Sequence, residues 1–356
     1  MNEKLELLNR ELAYAKANSA FYSYLPKRVS SLEELRQIPT ISAADLIREG
    51  NRMLCCAPSR VRRMVTLQTS GTTASPKRLA FTDGDLQRTV DFFCWGMSQL
   101  CESGDVVGIF MPGKQPDGLC DLLSRGIRGF GGIPRVYGII RDYDAAAGFC
   151  RREKPRILVG IPSQIRRLAL CAPELRIPRV LLSADYISPA VRETLERTWG
   201  CRVFAHYGLT ESGLGCAVET PLQEGMICRS DILLEVEQGQ ILLTTLQQEA
   251  LPLIRYQTGD LGQLLPNGNL GRVCGRIAHR EKHPCITELD DVLYQMNTIL
   301  DYQARWTAGG LAVSVLGNVE AAEQAVGSAF PDTRIAVRSA DSEQLQFCGK
   351  RRILSE

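Results

Sequence analysis

Short apolar runs alternate along this chain with stretches of helical periodicity, and that alternation restricts the fold to α/β layering with largely parallel strands. Val106-Val107-Gly108-Ile109-Phe110-Met111 reads as a strand and Asp117 to Arg128 as a helix. Ile157-Leu158-Val159-Gly160 and Arg179-Val180-Leu181-Leu182-Ser183 are further strands, each followed by a helix, at Ser163 to Leu170 and at Ser188 to Trp199, the latter closed by Gly200. Beyond about Leu233 the pattern turns strand-rich, with Leu234 to Glu237, Gly239 to Thr244 and Gly262 to Leu265 suggesting a small antiparallel subdomain. A polar Arg280-Glu281-Lys282-His283-Pro284 stretch then precedes a tail read as a helix at Glu288 to Ile299, strands near Tyr302 to Trp306 and Leu311 to Leu316, a helix at Val319 to Phe330 and a strand at Thr333 to Val337. The expected organisation is a large domain over 1–276, its β-rich part at about 233–275, a hinge over 277–284 and a small α+β domain over 285–356.

Onto that frame the chain places Ser70-Gly71-Thr72-Thr73-Ala74-Ser75-Pro76-Lys77. Backbone N–H groups beside a glycine, the hydroxyls of Ser70, Thr72 and Thr73 and the Lys77 ammonium suit polyphosphate oxygens. The run follows a strand at Met64 to Gln68 and precedes a helix at Asp83 to Trp95. It is not the G-x-x-x-x-G-K-[ST] loop, because it has one glycine and Lys77 is followed by Arg78. A cluster of this composition also forms ordinary solvated turns. Three further segments raise its weight: His206-Tyr207-Gly208-Leu209-Thr210-Glu211, Arg255-Tyr256-Gln257-Thr258-Gly259-Asp260 and Gly275-Arg276. The functional turns fall beyond the C-terminal ends of strands, where open α/β sheets bind ligands.

In this order and spacing the four motifs resemble those of the adenylate-forming, AMP-binding superfamily. The opening Ser19-Ala20-Phe21-Tyr22, Ser31 to Leu35, Ile38-Pro39-Thr40 and the Pro252 to Tyr256 approach to the aspartate motif look most like phenylacetate-CoA ligase and its capsule-biosynthesis-like relatives. The resemblance implies a large adenylate-forming domain with a short C-terminal lid. It implies ATP-dependent activation of a small carboxylic acid to an acyl-adenylate, with magnesium, and transfer to coenzyme A. The alternatives are transfer to an amine, a carrier protein or a cysteine, and a nucleotide-binding relative without catalysis.

Carried over residue by residue, the resemblance gives Ser70, Gly71, Thr72, Thr73 and Lys77 the β- and γ-phosphates, Thr210 the α-phosphate and Glu211 the magnesium. Tyr207 and the Ser183-Ala184-Asp185 turn fall to the adenine side, His206 to the bound nucleotide, Asp260 and Arg276 to the ribose, and Lys350 to the carboxylate and α-phosphate. Each has a plainer reading: Glu211 or Asp185 as a helix-start carboxylate, Asp260 as a turn aspartate, Arg276 and Lys350 as solvated charges. Ile277-Ala278-His279 replaces the aspartate or lysine that relatives carry as the lid pivot. Phe92, Trp95, Met111, Pro112, Gly131, Tyr137 and Pro162 are expected to line a pocket for an aryl or short acyl acid.

Charge excludes little else. With 42 basic and 40 acidic residues the net charge is +2, which does not favour nucleic acid. Met1 to Leu8 reads as a charged amphipathic helix without the core of a signal peptide, and no run of about 18 apolar residues occurs, so a cytoplasmic protein without membrane insertion is expected. The 13 cysteines are scattered in apolar stretches with no C-x-x-C pair, and reduced thiols are expected. Some relatives carry a structural zinc. Here Cys216, Cys228 and Cys274 lie in the matching region without the paired cysteines, so zinc is not expected. A homodimer enters by analogy only.

Overall fold

The computed structural model describes residues 2–67, 76–280, 282–345 and 351–354. Ser70, Gly71, Thr72, Thr73 and Lys350 lie outside them. The chain forms two compact units, one of residues 1–99, 115–126 and 207–273, the other of 100–114, 127–206 and 274–356.

The second unit contains the expected parallel layer. Strands Arg202–Tyr207, Arg179–Leu182, Ile157–Gly160, Val106–Phe110 and Ile133–Val136 lie in that spatial order, with Leu182 beside Ala205 and Gly160 beside Leu182. Ile157–Gly160 is buried along its length, as a strand covered on both faces must be. Helix Pro189–Trp199 starts on a Ser188 side-chain cap and stops at Gly200, whose φ of 65° suits glycine at a helix end. Ser188, not Asp185, is therefore the cap. The tail is α+β as expected: strands Ile299–Thr307 and Gly310–Gly317 pair antiparallel, and Ile335–Ser339 adds in parallel. Helix Ile286–Leu293 is shorter than the expected Glu288 to Ile299, since Ile299 already opens a strand. One apolar core runs from Phe110, Ile165 and Leu168 to Leu289, Val313 and Val326.

The first unit is built on antiparallel pairs. Ile232–Glu237 and Gln240–Thr245 form a hairpin whose two turn residues, Gln238 and Gly239, have φ of 50° and 81°, the twist that tight hairpins need. Gln240–Thr245 pairs in turn with Tyr256–Leu264. Residues 77–81, which begin at the last residue of the phosphate-loop candidate, form a strand pairing with Arg63–Leu67, so Leu67 and Lys77 face each other across the ends of that candidate. The following helix, Asp83–Ser98, starts on a capping box in which Asp85 accepts from the Thr82 N–H at 2.9 Å and Thr82 Oγ1 from the Asp85 N–H at 3.1 Å.

Helix Asn2–Asn18 buries Leu8, Leu12 and Ala15 together with one carboxyl, that of Glu11. Glu11 Oε1 accepts from Thr245 Oγ1 at 3.1 Å and from the Gln248 N–H at 3.0 Å, yet burial outweighs both and pushes its pKa up to about 8. A carboxyl that keeps its proton in the folded state stabilises fully below its unfolded pKa near 4.5, and that contribution is lost as pH rises through about 8. Glu11→Gln retains the acceptor oxygen without the charge. It should therefore raise the melting temperature at pH 8, by a stabilisation on the order of 1 kcal/mol, and much less at pH 5. Equal melting curves of the two proteins at pH 8 would contradict this.

Candidate active site

Three side chains from separate parts of the first unit meet at one point. Lys77 stands at the start of its strand, Glu211 in the short Thr210–Ser212 3₁₀ turn, and Tyr256 at the start of the Tyr256–Leu264 strand. The Lys77 ammonium donates to Glu211 Oε1 and, at 3.3 Å, to the Tyr256 hydroxyl, while Tyr256 donates to the same Glu211 oxygen at 2.9 Å. Lys77 and Glu211 side chains retain only 12% and 9% of their exposure. Burial alone would raise the Glu211 carboxyl; the Lys77 charge, with hydrogen bonds from Lys77, the backbone and Tyr256, holds it below the usual carboxylate range. Arg229, itself paired to Asp231, fixes this turn by donating to the Ser212 and Gly215 carbonyls, both at 3.0 Å.

Strand alternation builds a second pair on the same element. Tyr256, Thr258 and Asp260 share the buried face of their strand. Thr258 donates to the Ile241 carbonyl at 2.7 Å and accepts from the Asp260 N–H at 3.1 Å. Asp260 Oδ2 in turn accepts from the Tyr207 hydroxyl at 2.9 Å. Burial, then the Asp260 charge, raises the Tyr207 phenol well above its ordinary pKa and keeps it a donor. Tyr207 and Asp260, expected on opposite parts of a nucleotide, are thus in direct contact. Thr210 is half-buried at the start of the Glu211 turn.

In the second unit, Ser183, Ala184 and Asp185 follow the Arg179–Leu182 strand, with Ala184 at φ 73°, a left-handed conformation rare for a residue with a Cβ. Ser183 Oγ lies 2.7 Å from His206 Nδ1. Burial pushes the His206 pKa down to about 4, so its imidazole is neutral near pH 7. Asp185 accepts from its neighbour Tyr186 N–H at 2.9 Å and from the Arg351 N–H at 3.0 Å. Arg276 is the last residue of the Leu270–Arg276 strand and caps the Ile277–His279 3₁₀ turn. Of the residues expected around the acid, Tyr137 stacks on Phe110 at 5.0 Å and meets Phe149 edge-on at 5.3 Å, and Gly131 occupies a turn at φ 88°. Phe92 is buried against Gly215, where an added Cβ would lie 2.6 Å from its ring, and Trp95 is exposed.

Sequence reasoning missed two participants. Tyr256 carries a signal that was available, since it precedes Asp260 by two strand repeats. Arg351 carries none. Its guanidinium is enclosed by Asp290, Asp301 and the rings of Tyr294 and Tyr302, groups scattered along the sequence.

Removing one member of a buried ion pair strands the other charge. Lys77→Met should lower stability to urea by about 3 kcal/mol at pH 7. Its Glu211, freed from Lys77, should then titrate upward, so the deficit shrinks as pH falls toward 5. The double variant Lys77→Met/Glu211→Gln should recover most of the loss; a double variant no better than the single would contradict the pairing.

Residues 63–232 match the family model described as AMP-binding enzyme. The chain is similar to the phenylacetate-coenzyme A ligase of Thermus thermophilus, 25% identical over 319 residues that span 81% of this chain and 70% of that protein. It is similar to the Pseudomonas putida enzyme of the same name at 23% over 310 residues, 77% of this chain and 70% of that one. In fold it superposes on a crystal structure of 2-hydroxyisobutyryl-CoA ligase in the postadenylation state with R3-HIB-AMP, with a TM-score of 0.81 at 19% identity, covering all of this chain and 89% of that one. An anthranilate CoA ligase with anthranoyl-AMP matches at a TM-score of 0.58 and 15% identity, over 80% of this chain and 65% of that one. Residues 63–232 thus match the AMP-binding enzyme family model, the chain is similar over most of its length to phenylacetate-coenzyme A ligases, and its fold is that of the CoA ligase structures on which it superposes.

Proposed function

We propose that this protein is an ATP-dependent acid–CoA ligase, which joins an aryl or short acyl carboxylic acid to AMP and then passes the acyl group to coenzyme A. The observation that carries the reading is the ionised, nearly dry Lys77–Glu211 pair. A cation suited to phosphate oxygens and a carboxylate suited to a hard metal sit side by side there, one at the start of the Lys77–Phe81 strand and the other in the Thr210–Ser212 turn. The names of the relatives and the structures with bound adenylates support the same chemistry.

In the first step an oxygen of the substrate carboxylate attacks the α-phosphorus in line, and the bond from that phosphorus to the bridging oxygen breaks. Pyrophosphate leaves with the electron pair. Little covalent work falls to the protein, so its contribution is positioning and neutralisation of negative charge. Ser70, Gly71, Thr72, Thr73 and Lys77 hold the β- and γ-phosphates, and Thr210 donates to the α-phosphate. Asp260 accepts from the ribose hydroxyls, exchanging its Tyr207 bond for them, and Arg276 supports the ribose. Ser183, Ala184, Asp185, His206 and the Tyr207 ring receive the adenine. His206 does so as a neutral donor or acceptor, given its low pKa.

A single carboxylate held ionised fits magnesium, which binds through one or two carboxylates and the substrate phosphates. Glu211 would hold it, and when bound it supplies neutralisation of the polyphosphate charge. Lys350 offsets the charge shared by the carboxylate and the α-phosphate. In the second step the coenzyme A sulfur attacks the acyl carbonyl, AMP departs with the electron pair of the broken C–O bond, and the thiol proton passes to solvent. Residues 285–356 serve as the lid and 277–284 as its hinge.

Acid-dependent pyrophosphate release, measured over aromatic and short aliphatic acids with magnesium-ATP, tests the reading. Lys350→Ala should lower kcat about 100-fold or more, as loss of one preorganised charge at the reacting centre does elsewhere. Asp260→Ala should act mainly by raising the KM for ATP. Wild-type protein that binds ATP yet releases pyrophosphate with none of these acids would overturn the assignment. Release followed by acyl transfer only to an amine or a carrier thiol would replace the acceptor alone.

A further inference from the structure

Arg255, the residue that leads into the Tyr256–Leu264 strand, stands in a conformation that side chains disfavour. Its φ of 51° lies in the left-handed region, uncommon for a residue with a Cβ. Such a conformation persists only where the surroundings over-determine it, and it clusters at functional sites. Both main-chain groups of Arg255 are held: its N–H donates to Thr244 Oγ1 at 2.9 Å, and its carbonyl accepts from the Ile41 N–H at 3.1 Å. The buried guanidinium is held as well. Its Nη1 donates to the Arg36 and Ile38 carbonyls, both at 2.7 Å, its Nε to Glu235 at 3.2 Å and its Nη2 to Glu237 at 3.0 Å. The Ile41 carbonyl in turn accepts from the Gln257 N–H at 2.8 Å, so the residues on both sides of Tyr256 are tied to the same segment.

This bracing fixes the side chain between them. Tyr256 is 1% exposed, and its hydroxyl donates to Glu211 Oε1, the same oxygen that takes the Lys77 ammonium. The last torsion of a glutamate is soft and roughly two-fold, so a single partner leaves the plane of the carboxylate loosely set. Two donors from separate elements, converging on one oxygen, set it. They differ in what a nucleotide does to them. Under the proposed function Lys77 turns to the phosphates, whereas the neutral Tyr256, on a rigid ring braced by its neighbour, keeps its bond to Glu211. Magnesium demands near-ideal octahedral geometry, so the orientation of a carboxylate that holds it matters.

We propose that Tyr256 is a positioning residue for Glu211: its hydroxyl, set in place by Arg255, holds one carboxylate oxygen so that the group meets magnesium in a fixed orientation. The inference rests on the proposed function for the magnesium, and on the hydrogen bonds for the orientation.

The test reads equilibrium binding and needs no turnover. α,β-Methylene-ATP, which cannot release pyrophosphate, is titrated by calorimetry into wild type, Tyr256→Phe, Glu211→Gln and the double variant, with magnesium and with EDTA. Tyr256→Phe should lose affinity about tenfold with magnesium, the scale of losing a hydrogen-bond partner of a metal-ligating group, and stay within about twofold of wild type in EDTA. With Glu211 already replaced, Tyr256→Phe should change neither value, because the hydroxyl acts through that carboxylate. A residue that only packs the strand would weaken binding alike with and without magnesium, and again in the Glu211→Gln background; either result would overturn the positioning role.

Should Tyr256→Phe fail to fold, Arg255→Lys keeps the hydroxyl and the charge beside Glu235 and Glu237 but loses the fork that reaches the two carbonyls. It should lose magnesium-supported affinity in smaller measure, and wild-type affinity in both conditions would contradict the bracing. A magnesium-supported affinity that Tyr256→Phe keeps in full would overturn the inference alone. Wild-type protein that binds the analogue no better with magnesium than in EDTA would count against the proposed function itself, and the inference would fall with it.

Discussion

A lysine and a glutamate, both charged and both nearly out of water, are the constraint around which the first unit is arranged. Neither is tolerable there alone, since an unpaired buried charge costs several kcal/mol. Each therefore dictates where its own element must stand. Lys77 requires the strand after the phosphate-loop candidate to begin at this point, and Glu211 requires the turn after the Arg202–Tyr207 strand to reach it. Tyr256 closes the group from the start of the Tyr256–Leu264 strand. Arg229 and Asp231 then hold the turn from behind. Under the proposed function each charge exchanges its partner for one in a metal-bound polyphosphate.

The same economy governs Tyr207 and Asp260. Their hydrogen bond satisfies two buried groups within the protein and sets the carboxylate in a fixed orientation. Nucleotide hydroxyls offer that carboxylate the donors that Tyr207 supplies here. In the second unit the corresponding device is the arginine cage, where two aspartates and two tyrosines hold one guanidinium. Both units thus use internal partners to keep charged or polar groups oriented in low-dielectric surroundings, where such orientation is worth most.

Much of this was legible in the sequence. The parallel strands announced themselves as short apolar runs, and the runs around Tyr207, Glu211 and Asp260 were recognisable because their chemistry is local. The strand over residues 77–81 was not, since it opens on the polar Lys77-Arg78 and is defined by its tertiary pairing with Arg63–Leu67. The Ile286–Leu293 helix ends early because Ile299 is claimed by strand pairing with Gly317, a tertiary preference that overrides helical periodicity. Tyr256 was hidden by attention to the motif's aspartate, though the two-residue strand period placed both on one face. The Arg351 cage was invisible for a different reason. Asp185, Asp290, Asp301 and Arg351 share no period or motif, and only the fold brings them together.

Following the carboxylate oxygen tests the central claim most directly. An acid labelled with ¹⁸O in both carboxylate oxygens is incubated with magnesium-ATP, coenzyme A and the protein, and the phosphorus-containing products are weighed. Formation of an acyl-adenylate whose acyl carbon is later taken by sulfur predicts one labelled oxygen in AMP and none in pyrophosphate. Label appearing in inorganic phosphate, with ADP as the nucleotide product, would contradict the account, because the acid would then have attacked the γ-phosphorus instead.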